Sequence, residues 1–241
     1  MMTSKLTLGS LFDGSGGFPL AGALLGIEPV WASEIEPYPL RVTAARFPSM
    51  IQLGDITKIN GAAIPAVDII TFGSPCQDLS VAGKQAGIHE GTRSSLFFEA
   101  IRVIKEMREA TNGKSPRFLV WENVPGAFSS NKGEDFRAVL QALCEIKDPE
   151  AFIPVAQKGR LERAGTIVGD GYSLAWRVYN AQFWGVPQRR QRIYALVDLG
   201  GERAGEVLFK PESVSGNPAE SREAWERAAQ YVKGSPVGAG K

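Results

Sequence analysis

Residues 5–26 read KLTLGSLFDGSGGFPLAGALLG, and three textures follow one another inside them. KLTLGSLF is an apolar run of strand length, DGSGG is a turn that needs backbone freedom, and FPLAGALLG continues as a helix. Strand, glycine turn and helix in that order open a parallel α/β sheet. The alternation goes on. EPVWASEI (28–35) reads as a second strand and PYPLRVTAARF (37–47) as a second helix. AVDIITFG (66–73) is a third strand. SSLFFEAIRVIKEMREA (94–110) has helical spacing, with Leu96, Phe97, Ile101 and Ile104 on one face. RFLVWENV (117–124) is a fourth strand, and GEDFRAVLQALCEI (133–146) a helix whose apolar face holds Cys144 as inert core. YSLAWRVYNAQFWG (172–185) and RRQRIYALVDLG (189–200) read as two last strands, too close in sequence for a crossover helix. The expected fold is therefore α/β, a mostly parallel, doubly wound sheet with an antiparallel edge pair.

Composition bounds the rest. The 241 residues are 44% hydrophobic and 22% charged, enough for one good core, and the net charge of +1 does not announce a polyanion binder. Any phosphate contact must come from a local cluster. Two cysteines, Cys76 and Cys144, make no disulfide framework or zinc spacing. The single histidine, His89, argues against a Ser-His-Asp triad and against a histidine metal site, so no metal is expected. Neither a signal peptide nor a membrane-spanning run is visible, which gives the expectation of a reducing, cytoplasmic setting. Residues 1–200 are expected to form one domain. Residues 201–241 turn polar and rich in Gly, Pro, Ser and Glu; they are expected to be a weakly ordered tail with one amphipathic helix around Glu220–Val232.

Ligands bind an open α/β sheet beyond the carboxyl ends of its strands, and the chemistry-bearing residues fall there. Phe12, Asp13, Gly14, Ser15, Gly16 and Gly17 make a glycine loop ahead of a helix N-terminus, suited to close backbone approach; a βα turn without a ligand is the plain alternative. Glu34, ending the second strand, stands where ribose hydroxyls are held, and Asp55 with Ile56 suits the edge and face of an adenine; each acid alone is also an ordinary helix cap. Cys76, directly after Pro75 in a polar loop, is placed as a presented thiol, with a bystander cysteine as the alternative. Glu122, after FLVW, is walled in this reading by Val120 and Trp121, and can donate a proton or hydrogen bond to a ring nitrogen. Arg189, Arg190 and Arg192 with Gln188 and Gln191 form the densest basic cluster. Strand alternation puts Arg190 and Arg192 on one side.

In this order FDGSGGF, SEIEP, GDIT, GSPCQDLSVAGKQ, SLFFEAIRVI, WENVPGAF and NAQFWGVPQRRQRIYAL closely resemble the ordered motifs of the DNA cytosine-5 methyltransferases, over about Leu6 to Val197. GSPCQDLS and the later VLFKPESVSGNP look most like bacteriophage or prophage versions. The resemblance implies that residues 1–200 are a Rossmann-like catalytic domain binding S-adenosylmethionine and that the tail, 201–241, is the start of a truncated target-recognition region. Cys76 then matches the nucleophile that adds to carbon 6 of a cytosine flipped out of duplex DNA. Glu122 matches the acid at N3 and the exocyclic amine, and Arg190 and Arg192 the arginines holding the flipped nucleotide. Gln77, Ser80 and Arg189 would contact DNA. For the cofactor, the resemblance implies Phe12 against adenine, Asp13, Gly14, Gly16 and Gly17 at the methionine portion, Glu34 on ribose, Ile35 packed on adenine, Asp55 and Ile56 at its edge, and Pro75 and Leu96 closing the pocket.

Two departures stand out. Ser10 occupies the position where the family carries an aspartate, and Asp13 replaces a small residue. No target-recognition domain and neither of the last two motifs is recognisable, so the alternatives to a complete enzyme are a truncated, non-catalytic remnant and one subunit of a split methyltransferase completed by a second chain. A tRNA-methylating relative would share the chemistry. A nicotinamide dehydrogenase would explain the glycine loop and Glu34 but not Cys76, Glu122 or the arginines.

Overall fold

The computed structural model describes residues 5–74, 96–154, 161–184 and 187–209. Eight strands form one sheet in the order β3-β2-β1-β4-β5-β8-β7-β6. β1 (Thr7–Leu11), β2 (Glu28–Ser33), β3 (Ile51–Gln52), β4 (Ile69–Phe72) and β5 (Phe118–Asn123) run parallel. β8 (Gln191–Asp198) joins β5 antiparallel, followed by β7 (Tyr172–Asn180) and β6 (Ala164–Gly169), also antiparallel. The expected doubly wound sheet is present, with an antiparallel group of three strands at its edge where two were expected. β6 is the addition. It pairs with β7 through a hairpin at Asp170-Gly171, where Gly171 takes φ 68°, a conformation an Asp-Gly turn supplies.

Strand alternation splits the core. On β5 the burial alternates, so Leu119, Trp121 and Asn123 face one side while Phe118, Val120 and Glu122 face the other. Helices α3 (Leu96–Ala110) and α4 (Glu134–Cys144) cover the first side, burying Phe97, Ile101, Ile104, Phe136 and Leu140 against Phe72, Trp121 and Ile193. Cys144 is fully buried there and its thiol is pushed up to about 12 by that burial, so the expectation of inert core holds. Helix α1 (Gly17–Leu24) packs over Leu8, and α5 (Ala204–Leu208) over Ala175 and Leu196, both on the opposite side, while α2 (Pro37–Arg46) links β2 to β3. The packed chain thus continues past residue 200 as far as Phe209; the helix expected around Glu220–Val232 lies outside the described residues. β7 stops at Asn180, short of the expected end at residue 185, because the Asn180 side chain accepts the Gln182 amide at 3.3 Å and the chain turns into a 3-10 segment, Ala181–Trp184. No helix among the described residues is long and apolar enough to cross a membrane.

Candidate active site

The parallel strands end along one edge, and the loops there bring together most of the singled-out residues. β1 gives way at Phe12, whose φ of 55° is rare for a bulky residue, and Phe12 packs partly buried on the core. Gly16 caps α1 with φ 84°; a Cβ there would sit 3.0 Å from Thr43 Cγ2, so both conformation and space require glycine. Around Gly14 and Gly17 nothing lies within 4 Å of where a Cβ would be, leaving the loop open to a ligand.

Glu34 ties this loop to the end of β2. Its Oε2 accepts the Gly14 amide at 2.7 Å, and its Oε1 accepts the amides of Ile35 at 2.7 Å and Glu36 at 2.9 Å. A carboxylate oxygen with one donor keeps a free lone pair, so Oε2 can still take a hydroxyl. Ile35 is 65% exposed beside it. Ser33 Oγ donates to the Gly54 carbonyl at 2.7 Å and draws the Asp55 loop alongside. Asp55 caps the 3-10 turn Ile56–Lys58. Hydrogen bonds from the amide and hydroxyl of Thr57 hold its carboxyl below the usual carboxylate range. The Ile56 side chain points into the core, so the apolar surface on this edge comes from Ile35 and Phe12.

The Ser10–Asp13 departure resolves into a pair. Ser10 Oγ donates to Asp13 Oδ1 at 2.7 Å, while the buried Asp13 Oδ2 has no partner among the described residues. Burial pushes Asp13 up to about 6, opposed by the Ser10 bond and helped by the nearby Glu34 charge. The native chain therefore holds this proton more tightly than the unfolded chain does. Stability is expected to fall as pH rises from the ordinary 3.8 to about 6, by an amount on the order of 3 kcal/mol. Asp13→Asn is expected to raise Tm above about pH 7 and to change it little near pH 4. An equal gain at both pH values would show that Asp13 does not titrate in this window.

At the ends of β5 and β8, Arg192 Nε lies 3.0 Å from Glu122 Oε1, with both side chains about one-fifth exposed. A Cβ on Gly73 would come within 3.2 Å of Glu122 Oε2, so a larger residue there would press on the Glu122 carboxylate. Asn123 Nδ2 donates to the Ser74 carbonyl at 3.2 Å, pinning the last described residue before the Cys76 loop to β5. Trp121, expected to wall Glu122, lies on the opposite face, since neighbours along a strand point apart. Arg190 and Arg192 do share a side: both line one cavity of about 520 Å³. Pro75, Cys76, Gln77 and Ser80 lie outside the described residues, and Leu96 opens α3 partly buried against the core. No cluster of three or more potential metal ligands occurs among the described residues.

One residue escaped the sequence reading. Arg102 on α3 donates to the carbonyls of Ile56 at 3.0 Å and Ile59 at 2.8 Å, held by Glu99 and Glu106. Glu106 also accepts the Gly61 amide at 2.7 Å. The i,i+3 and i,i+4 spacing of these charges is legible in sequence; the clamp on the Asp55 loop is not.

A sequence model of the C-5 cytosine-specific DNA methylases matches residues 6–147 and 165–217. A protein of Escherichia phage P1 named DNA N-6-adenine-methyltransferase is 31% identical over 252 residues, covering 95% of this chain and 33% of that protein. The type II methyltransferase M.NgoBV of Neisseria gonorrhoeae is 34% identical over 200 residues, 80% of this chain and 41% of its own length. A solved Spodoptera frugiperda DNMT2 mutant has the same fold, with a TM-score of 0.56 at 20% identity over 81% of this chain and 50% of that one. The chain spans a third to two-fifths of these two curated relatives.

Proposed function

The chain belongs to the C-5 cytosine-specific DNA methylase family, and from that premise we propose that it methylates carbon 5 of a cytosine flipped out of DNA. The observation that carries the reading is Glu122. Its Oε1 pairs with Arg192 while its Oε2 faces the bare Cα side of Gly73 at the end of β4, three residues before Cys76, in front of an edge suited to an adenosine ligand.

S-adenosylmethionine supplies the electrophilic methyl group. Glu34, Ile35, Phe12 and the Asp55 loop are the residues that would hold it, and the free lone pair on Glu34 with the exposed Ile35 face fits a ribose and an adenine. Cys76, as thiolate, forms a bond to carbon 6 of the cytosine while Glu122 protonates or hydrogen-bonds N3, so the ring electrons move toward carbon 5. Carbon 5 then takes the methyl group. Loss of the carbon 5 proton to solvent and departure of Cys76 restore the aromatic ring. Arg192 holds Glu122 in register with N3, and Arg190, with Gln77, Ser80 and Arg189, engages the strand.

Labelled S-adenosylmethionine and mixed-sequence duplex DNA test this directly, with the product digested to nucleosides. Label in 5-methylcytosine is expected; label in N6-methyladenine, the activity in the phage P1 protein's name, would overturn it. A second reading is one subunit of a split methyltransferase: a denaturation-resistant adduct on 5-fluorocytosine DNA then forms only after a second chain that supplies DNA recognition is added.

A further inference from the structure

Phe183 and Trp184 have no part in the chemistry above, yet they stand at the same sheet edge as Glu122, in the turn between β7 and β8. They are 40% and 46% exposed. Trp184 meets Tyr179 edge-on, centroids 5.4 Å apart, and Tyr179 meets Tyr194 at 5.7 Å. This chain of rings walls the 520 Å³ cavity, and Arg190 and Arg192 line it too. Arg192 is paired with Glu122; Arg189 and Arg190, both exposed, have no carboxylate within ion-pair distance among the described residues. The surface is therefore aromatic and cationic together. Its complement is a ligand with planar apolar faces on an anionic thread, which is a nucleic-acid strand with unstacked bases. An intact duplex keeps its base faces covered and has nothing to offer an exposed indole.

We propose that Trp184, flanked by Phe183, stacks an unpaired nucleobase next to the target nucleotide while Arg189 and Arg190 hold its phosphates. The inference rests on the reading of DNA as substrate and adds a second base contact to it. Base–aromatic stacking tolerates any sequence, so the contact secures an opened strand without selecting a site.

The full chain is titrated with a short oligothymidylate, following tryptophan quenching and oligonucleotide anisotropy, and separately with heparin, a polyanion without bases. Trp184→Ala is expected to lose about tenfold in affinity for the oligonucleotide, keep its heparin affinity and keep its salt slope. Trp184→Phe should retain most of the binding. Arg189→Ala should flatten the salt slope by about one contact instead. Unchanged oligonucleotide affinity in Trp184→Ala, or an equal loss toward heparin, overturns the stacking role. A wild-type chain that methylates or binds DNA while Trp184→Ala behaves identically sinks this inference alone; a wild-type chain that binds no nucleic acid sinks the substrate reading with it.

Discussion

Glu122→Gln is expected to slow adduct formation on 5-fluorocytosine DNA by about a thousandfold, with S-adenosylmethionine affinity unchanged within about twofold. The amide keeps the shape of the side chain and an oxygen for the Arg192 guanidinium, now 3.0 Å from Oε1. What it loses is the acid. Without a proton or a strong hydrogen bond for N3, the charge that develops when Cys76 attacks carbon 6 has no stabiliser, and losses of about a hundred- to ten-thousandfold are usual for a general acid. Arg192→Met should cost less, about tenfold to a hundredfold, because it leaves the acid present and frees only its rotamer. Equal rates for wild type and Glu122→Gln would remove Glu122 from the chemistry. A joint fall in cofactor affinity would instead point to a displaced β5, and the Ser74–Asn123 contact would be the place to look.

How much of this was legible in the sequence depends on the range of the contacts involved. The glycine loop, Glu34 and the strands that present them were readable because a βα turn is local: a few residues carry strand, turn and helix. The Glu34 clamp on Gly14 is a contact between two such turns, and their order along the chain already placed them side by side. β3, only two residues long, carried no period to read. β6 went unread although Asp170-Gly171 is a hairpin signal, because its own residues, AGTIVG, contain two glycines and only partial alternation. Trp121 was misplaced for a different reason: proximity in sequence was taken for proximity in space, and along a strand it means opposite faces. Asp13 showed its oddity as a residue type. Its buried, half-satisfied carboxylate could be seen only once Ser10 lay beneath it.

Arg102 is the clearest case of a residue whose role needs the fold, and its replacement gives the second large effect. Arg102→Met is expected to weaken S-adenosylmethionine binding about tenfold and to lower stability by roughly 2 kcal/mol. The stability loss comes from two carbonyls, those of Ile56 and Ile59, that lose a charged donor, and from Glu99 and Glu106 left facing each other without a cation. All three charged side chains are about one-third exposed, so solvent screens the repulsion and the loss stays modest. The affinity loss has a separate origin. The residues after Asp55 are held against α3 by this guanidinium, with the Glu106–Gly61 bond beyond it, and a loop that must be ordered on binding charges its ordering to the ligand. The two effects can be separated. Adding Glu99→Gln to Arg102→Met relieves the repulsion and should recover part of the stability in urea unfolding, yet it restores no donor to Ile56 and Ile59. Cofactor affinity should stay low. If affinity recovers together with stability, the clamp acts only through global folding and the Asp55 loop is positioned by the Ser33–Gly54 and Glu106–Gly61 bonds.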